Sequence, residues 1–325
     1  MKIWQRNVIL AISVLAFGAV RMPYENHLAK ELQTLGLTPP PIEIGTRDKI
    51  GQTSSAVALG GLRTLVATFM NLRAFSYFQE QRWDELADTF ETIVDLAPHT
   101  RYYWETGSWH SAYNAASYYM NDSKLSPLRR REAWRASIMK GRSFLERGII
   151  NNPNDWSLLA TLGFLLSDTN KFPAFRDPDK SFAAAAEAYR RSADTGNAMP
   201  YVRRAQLYSL ARVPGKEKEA LALARSLYAE KQNRTPTLLI LLFILDVFEN
   251  PNLDATARAI EIFGTPEKAY EALSGHWQRI GERFPVYGVA STLEALEKTL
   301  NIPKEKSIFS EPLRQPFNPE NLFVK

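Results

Sequence analysis

The chain has 325 residues, of which 45% are hydrophobic and 23% are charged, and this is the composition of a folded globular protein rather than a disordered one. Cysteine is absent, which excludes disulfides, thiol nucleophiles, cysteine-rich zinc sites and a lipid-modified N-terminal cysteine. The formal net charge of +5 is small for this length, and no nucleic-acid partner is expected.

The N-terminus carries a hydrophobic segment of the kind that directs a protein to a membrane. The first seven residues contain Lys2 and Arg6. They precede a 13-residue run, residues 8–20, in which only Ser13 is polar. A basic start followed by such a run is typical of a signal sequence. We predict that residues 1–23 are a signal-anchor in the bacterial inner membrane, with the body of the protein facing the periplasm.

Two alternatives remain open for this segment. Ala16-Phe17-Gly18 matches a small-x-small cleavage site, so secretion after removal of a signal peptide is also compatible with the sequence. An ordinary N-terminal core helix is the second alternative. The run is shorter than the roughly 20 residues that span a bilayer, but residues 3–22 could span one if the side chains of Arg6 and Arg21 extend to the interfaces. No polar face repeats through the run, and this favours the two export interpretations.

Residues 24–53 are predicted to be a linker, and the residues after them to be helical. Pro39-Pro40-Pro41 favours an extended spacer. From residue 54 onward the hydrophobic period is that of helices, and Gly and Pro occur between segments of helical length. No run of alternating polar and apolar residues indicates a strand, so the expected fold class is all-α.

Aromatic, small and proline residues in residues 54–235 follow the tetratricopeptide pattern of paired helices. The first unit is residues 67–98, with helices expected at about 60–79 and 83–96. The second is residues 104–153, and the third contains Leu162-Gly163. A weaker fourth hairpin covers residues 201–231. Insertions are expected in the second and third units near residues 118–127 and 168–179. The sequence therefore predicts a solenoid of helical hairpins.

The repeat is lost after residue 235. Residues 238–245 are consecutive apolar residues, too few to span a bilayer, and they indicate a buried helix. We assign residues 236–300 to a helical C-terminal cap, which a solenoid needs to cover its last apolar face. Residues 301–325 contain four prolines and are predicted to be an extended tail.

Five stretches between about residues 60 and 305 carry a family resemblance. They are Gly60-Gly61-Leu62-Arg63 through Asn71-Leu72-Arg73-Ala74, Trp109-His110-Ser111-Ala112-Tyr113-Asn114, Asn152-Pro153-Asn154-Asp155, Pro200-Tyr201-Val202-Arg203-Arg204 and Leu300-Asn301-Ile302-Pro303. In them the chain resembles a group of bacterial tetratricopeptide repeat proteins from Verrucomicrobia, Planctomycetes and their relatives. The resemblance implies a helical-repeat protein that is exported or anchored, and it implies no reaction.

Catalytic and metal chemistry finds little support in the sequence. The four histidines lie far apart and none has the spacing of a metal-ligand pair. Glu105 and His110 on one predicted helix come nearest to an acid–base pair, but packing with a surface hydrogen bond is the favoured interpretation. We therefore expect no enzymatic activity, no cofactor, no metal site and no small-molecule substrate.

Aromatic residues recur where the first helix of each hairpin would line the concave face of a solenoid. We predict that these residues and their neighbours bind a peptide or helix of a partner protein. The predicted contacts are Phe75, Phe78, Tyr102, Glu105, Trp109, Tyr113 and Phe164. The alternative is that the insertions or the linker fold over these side chains and bury them.

Residues 124–147 form a basic segment that suggests a second kind of partner. The segment contains eight basic and two acidic residues. An anionic ligand or membrane surface is the alternative partner, attracted by Arg129, Arg130, Arg131 and Arg135. The competing interpretation is a solvated outer helix face with no binding role.

Overall fold

The computed structural model describes Gln5, His27 and residues 63–175, 177–279, 283–314 and 318–323. This part of the chain contains thirteen α-helices and no strand, which confirms the all-α class. Among the described helices, none is long and apolar enough to cross a membrane. The apolar run at residues 8–20 and the Pro39-Pro40-Pro41 spacer lie outside the described residues.

The chain divides into two compact units, Met1–His110 and Ser111–Lys325. The described part of the first unit contains α1 (Arg63–Gln79), α2 (Trp83–Leu96) and α3 (Arg101–Trp109). Helices α1 and α2 match the pair expected at residues 60–79 and 83–96, with residues 60–62 outside the described part.

Helix α2 shows why these segments fold as helices. Trp83, Leu86, Phe90 and Ile93 recur at helical spacing, and all four are buried. Asp84 and Glu85 occupy the first turn, where the exposed N–H groups of the helix favour negative charge. Because α2 presents one apolar face, it packs against both α1 and α3.

The second unit contains ten of the described α-helices. They are α4 (Ala116–Asn121), α5 (Pro127–Asn151), α6 (Trp156–Ser167), α7 (Pro178–Asp194), α8 (Tyr201–Leu210), α9 (Glu217–Ala229), α10 (Pro236–Glu249), α11 (Ala255–Phe263), α12 (Pro266–Gln278) and α13 (Val289–Thr299). A π-helix, His110–Ala115, precedes α4, and a 3-10 helix, Thr169–Ala174, lies in the expected insertion after α6. From α4 to α13, each helix packs against the next one along the chain, so this unit has solenoid-like character.

Helices α6 and α7 form an antiparallel hairpin that two serine side chains help to join. The buried Ser181 hydroxyl, near the start of α7, donates to the backbone oxygen of Leu166 at 2.7 Å. Near the other end of the hairpin, Ser192 donates to the backbone oxygen of Trp156, also at 2.7 Å. Each bond satisfies a carbonyl in the hairpin while the helices bury their apolar faces.

Helix α10 lies between two hydrophobic clusters. Leu238, Leu241 and Leu245 pack with buried residues of α8 and α9. Ile240 and Ile244 pack with buried residues of α11, α12 and α13. The expected buried helix is therefore present, and it joins the helices before the predicted boundary at residue 235 to those after it within one compact unit.

A buried carboxylate holds three of these helices together. Asp246 of α10 is only 3% exposed. Its oxygens accept bonds from Arg225 of α9 at 2.8 Å and from Arg258 of α11 at 2.7 and 3.1 Å. Two guanidinium groups thus compensate the desolvation of one carboxylate.

The residues after α13, where the sequence predicts an extended tail, contain local structure. Short 3-10 helices occur at Lys304–Lys306, Ile308–Ser310 and Pro319–Leu322. Glu297 of α13 holds the second of these, because its carboxylate accepts bonds from the Ser307 hydroxyl at 2.8 Å and the Ile308 N–H at 2.9 Å. A single polar residue in α13 therefore ties this part of the chain to the helical body.

We expect Gly163→Ala in α6 to lower the free energy of unfolding by about 1–3 kcal/mol through overpacking. A Cβ at Gly163 would lie 2.9 Å from the Tyr189 ring of α7, which is only 4% exposed and has little room to move. The better helix propensity of alanine offsets at most about 1 kcal/mol. Urea denaturation measures the change. Gly275→Ala is the matched control, because beyond the adjacent backbone of its own helix no atom lies within 4 Å of its added Cβ. Equal behaviour of the two variants would contradict the close approach at Gly163.

We expect Asp246→Ala to destabilise the protein by about 3–5 kcal/mol, because it leaves the partly buried Arg258 without its main partner. Arg225→Ala should cost about 1 kcal/mol or less, since the Arg225 side chain is 58% exposed. Glu261→Ala removes an exposed partner of the same Arg258 and serves as the control. Chemical denaturation measures the loss in the free energy of unfolding for each of the three variants. A loss below about 1 kcal/mol for Asp246→Ala would contradict the structural role of this carboxylate.

Candidate functional site

The first unit contains a small open cleft formed by α1, α2 and α3. Its volume is about 140 Å³. The residues that line it are Asn71, Ala74, Phe75, Phe78, Phe90, Tyr102, Thr106 and His110. Three of the predicted contacts, Phe75, Phe78 and Tyr102, are therefore brought together in one place.

Phe78 is the centre of an aromatic cluster in this cleft. Its ring centroid lies 4.9 Å from that of His110, 5.7 Å from that of Trp83 and 6.5 Å from that of Phe75. The ring centroid of Phe90 lies 5.7 Å from that of His110. Rings of α1, of α2 and of His110 thus pack together at the cleft, and packed rings of this kind hold one another in fixed orientations.

The lining carries no formal charge at neutral pH. Burial lowers the pKa of His110 below its ordinary value, so its imidazole is uncharged at pH 7. Asn71, Thr106 and Tyr102 supply hydrogen-bonding groups among the rings. A mainly apolar lining with a few polar groups is the usual character of a site that orients an uncharged ligand group.

The size of the cleft corresponds to one side chain. An engineered apolar cavity of about 150 Å³ in another protein accommodates benzene. A cleft of about 140 Å³ is thus large enough for a single phenyl or isobutyl group. It is smaller than the roughly 300–1,000 Å³ of typical small-molecule pockets.

Next to the cleft, α1 exposes an apolar stripe formed by Leu65, Phe69, Leu72 and Phe75. These four side chains are between 50% and 63% exposed and recur at helical spacing. Phe75 belongs both to this α1 stripe and to the cleft lining. A run of exposed large apolar residues is an informative feature, because single exposed ones are common and contiguous ones mark interaction sites.

Sequence reasoning missed Leu65, Phe69 and Leu72 of the stripe, and it missed Phe90, Thr106 and His110 among the lining residues that lie after α1. Leu65, Phe69 and Leu72 were visible as apolar positions on a second face of α1, but the repeat pattern drew attention only to the residues that face its groove. Phe90, Thr106 and His110 line the cleft because α2 and α3 pack against α1. The repeat pattern predicts the hairpin of α1 and α2, but no local sequence signal indicates which side chains of α2 and α3 line the cleft.

Glu105 and Trp109 lie on α3 outside the cleft lining. Trp109 is 50% exposed. Glu105 forms an ion pair with Arg101 one turn earlier, at 3.7 Å between Nε and Oε2. The imidazole of His110 contacts the rings of Phe78 and Phe90, as the packing interpretation of this histidine requires.

The other two predicted contacts, Tyr113 and Phe164, belong to the second unit. Their rings are stacked at 6.1 Å, and Phe164 is 51% exposed. The Lys171 ammonium lies 4.7 Å from the Tyr113 ring centroid. Burial, with a smaller contribution from Asp168, raises the pKa of Tyr113, so its phenol remains neutral.

The repeat pattern expects Tyr113 one helical turn after Trp109 on the same face, but a π-helix occupies this part of the chain. In an α-helix, residues four apart share a face. Residues His110–Ala115 are π-helical, with i→i+5 hydrogen bonds, so the α-helical period does not hold there. The predicted row of aromatics is therefore not one continuous α-helical stripe.

The basic segment lies mainly on α5 in the second unit. Arg129, Arg131 and Arg135 are exposed, whereas Arg130 is partly buried. Two of the exposed residues are engaged with this same unit. Arg131 forms an ion pair with Glu320 at 3.0 Å, and the Nε of Arg135 donates to the backbone oxygen of Ala174 at 3.0 Å.

In the described residues, no group of three or more histidine and carboxylate side chains is arranged to hold a metal ion. Comparison of the chain with protein-family models, with curated proteins and with solved structures finds no match. The chemistry of the cleft and of the α1 stripe is therefore the basis on which a function can be argued.

Proposed function

We propose that this protein is a non-enzymatic interaction scaffold, in which the cleft of the first unit receives an apolar side chain from a partner protein. The observation that carries the proposal is the uncharged, ring-lined cleft of about 140 Å³ beside the exposed α1 stripe. Aromatic side chains in partly desolvated pockets are the usual anchors of protein interfaces. Catalysis is not part of the proposal, because the lining offers rings and an uncharged imidazole rather than a nucleophile with a base.

An amphipathic helix is the partner that this geometry favours. The cleft accepts one side chain, and the stripe continues along α1 through Leu72, Phe69 and Leu65. A helix lying along α1 would place one apolar residue in the cleft and those one and two turns away on the stripe.

Charge on α1 favours a partner with acidic residues beside its apolar face. Helix α1 contains no acidic residue. Its Arg73 is exposed and lies over the Tyr77 ring at 5.5 Å. Complementary charges of this kind orient a partner and raise the rate of association more than the affinity.

The finer architecture and the location of the scaffold are also proposals. Packing of each helix on its neighbour in the second unit supports a tetratricopeptide-type solenoid. Lys2, Arg6 and the apolar run at residues 8–20 support an inner-membrane anchor with the body in the periplasm, or secretion after cleavage. The partner would then be a periplasmic or membrane protein.

The alternative function, binding of an anionic ligand or membrane surface, is supported by Arg129 and by the surplus of basic residues in residues 124–147. The engagement of Arg131 and Arg135 within the same unit reduces the charge available to such a ligand. Salt separates the two functions, because charge-driven binding weakens steeply with ionic strength whereas apolar insertion does not.

We expect the full chain to bind a synthetic amphipathic peptide with Phe and Leu one helical turn apart and acidic residues beside them. Thr106→Phe, which fills the cleft from its half-buried rim, should weaken binding by about tenfold, as the loss of an anchor pocket does. Leu72→Asp on the stripe should weaken it by a similar factor. Fluorescence anisotropy of the labelled peptide measures Kd.

Ile150→Asp is the matched control for this experiment. Ile150 is an exposed aliphatic residue of the second unit, 78% exposed, and its substitution should leave Kd unchanged. If the peptide binds the parent and the Thr106→Phe variant with equal Kd, the cleft has no role in binding it.

Trp109→Ala and Trp104→Ala should separate contact from core in α3. Trp104 is 1% exposed and donates through Nε1 to the Pro98 oxygen at 2.8 Å, so its loss should cost about 3–5 kcal/mol. Trp109 is half exposed, so its loss should cost about 1 kcal/mol or less while peptide binding weakens. Thermal unfolding measures the change in stability, and the anisotropy titration measures the Kd of the peptide. A stable Trp109→Ala variant with unchanged Kd would exclude Trp109 as a contact.

A further inference from the structure

Residues 318–323, called here the C-terminal strap, pack against the basic helix α5 of the same unit. The Phe323 ring lies 5.5 Å from the Trp134 ring, and these side chains are 7% and 2% exposed. The Glu320 carboxylate lies 3.0 Å from Nε of Arg131. One aromatic contact and one ion pair thus connect the strap to α5.

The strap has a local structure that presents these two side chains together. The Asn318 side chain accepts a hydrogen bond from the Glu320 backbone N–H at 3.0 Å. The Phe323 N–H donates to the backbone oxygen of Glu320, also at 3.0 Å. In a 3-10 turn, residues three apart lie on the same side. Glu320 and Phe323 have this separation and therefore both face α5.

Helix α5 matches the strap at the same spacing. Arg131 and Trp134 are also three residues apart, so they lie on one side of α5. The Arg131 guanidinium pairs with the Glu320 carboxylate, and the Trp134 indole packs against the Phe323 ring. This is two-point recognition, and it needs only a carboxylate and an aromatic ring at the correct separation in a turn.

The contact is also weaker than those that hold the helices together. The Arg131 side chain is 54% exposed, and an ion pair this exposed contributes little to stability. A segment held by one ring, one such pair and its packing on the 3-10 helix Thr169–Ala174 opens at a lower free-energy cost than the helical body. The site on α5 can therefore exchange one occupant for another.

We propose that Arg131 and Trp134 form a recognition slot for a partner segment that carries a carboxylate followed three residues later by an aromatic ring, and that the C-terminal strap is its intramolecular occupant. The slot lies in the second unit and does not depend on the cleft of the first. The strap defines the ligand class and, as a tethered competitor at millimolar effective concentration, restricts the slot to partners that displace it.

The test uses the full chain and a labelled synthetic peptide of residues 318–325. In a full-length variant with Glu320→Gln and Phe323→Ala, the tethered strap no longer competes for the slot. We expect this variant to bind the peptide about tenfold more tightly than the parent chain does. Equal binding by the two proteins, or no binding by the folded variant, would overturn the proposal.

Changes in the peptide and in the slot identify the contacts. The peptide with Phe323→Ala should not bind, and the peptide with Glu320→Gln should bind about two- to fivefold more weakly. Adding Arg131→Glu to the variant should abolish preference for the acidic peptide, and a Glu320→Arg peptide should restore binding. Arg129→Glu, an exposed arginine on the same helix, is the matched control and should have a smaller effect.

A second variant and a second ligand complete the test of the slot. If the double variant fails to fold, Glu320→Lys alone, which repels Arg131 but keeps the buried ring, replaces it, with an expected gain of about threefold. If the strap-released chain instead binds vesicles of anionic lipid and not the peptide, the surface belongs to an anionic partner and the proposed slot is wrong.

Discussion

Burial of apolar helix faces against neighbours along the chain is the constraint on which this structure depends. The chain has no cysteine and the described residues contain no strand, so disulfides and sheet hydrogen bonds do not contribute there. In the second unit the constraint is strongest at α10, whose apolar residues pack into one hydrophobic cluster on one side and a second on the other. Because α10 is apolar on both sides, the helices before and after it cannot separate without exposing it to water.

The candidate site arises where this constraint is incompletely satisfied. Helix α1 has apolar residues on more sides than α2 covers: Ala67 and Ala74 are buried, whereas Leu72 and Phe75 are exposed. Small residues on the buried side of α1 suit the close approach of α2, and the larger rings of Phe78, Phe90 and His110 surround a gap that no described side chain fills. A binding site of this kind uses surface that folding has left in contact with water.

Polar residues have a different part in this fold, which is to select partners among helices that apolar burial alone would not distinguish. Asp246 requires both Arg225 and Arg258 near one point of α10, and Glu297 requires Ser307 and Ile308 beside α13. Glu320 and Arg131 do the same at an exposed position, where the interaction is weaker. The same ion-pair chemistry thus contributes more to stability where the carboxylate is buried, as at Asp246, than where water reaches both partners, as at Arg131 and Glu320.

The sequence alone determined the helical class and the expected bounds of α1 and α2, because these depend on local properties such as the hydrophobic period and the Gly and Pro residues between segments. In the structure, prolines at helix starts and the caps Asp155, Asp254 and Thr265 act locally in the same way. The sequence also named Phe75, Phe78 and Tyr102 as expected contacts from the repeat pattern, and these three residues line the cleft. Only the tertiary structure decided that Phe90 and His110 complete the cleft, that a π-helix interrupts the row of aromatics, and that residues 318–323 return to α5. Arg131 and Glu320 are separated by 189 positions, and a pair so distant becomes neighbours through the packing of every helix between them, which no local pattern encodes.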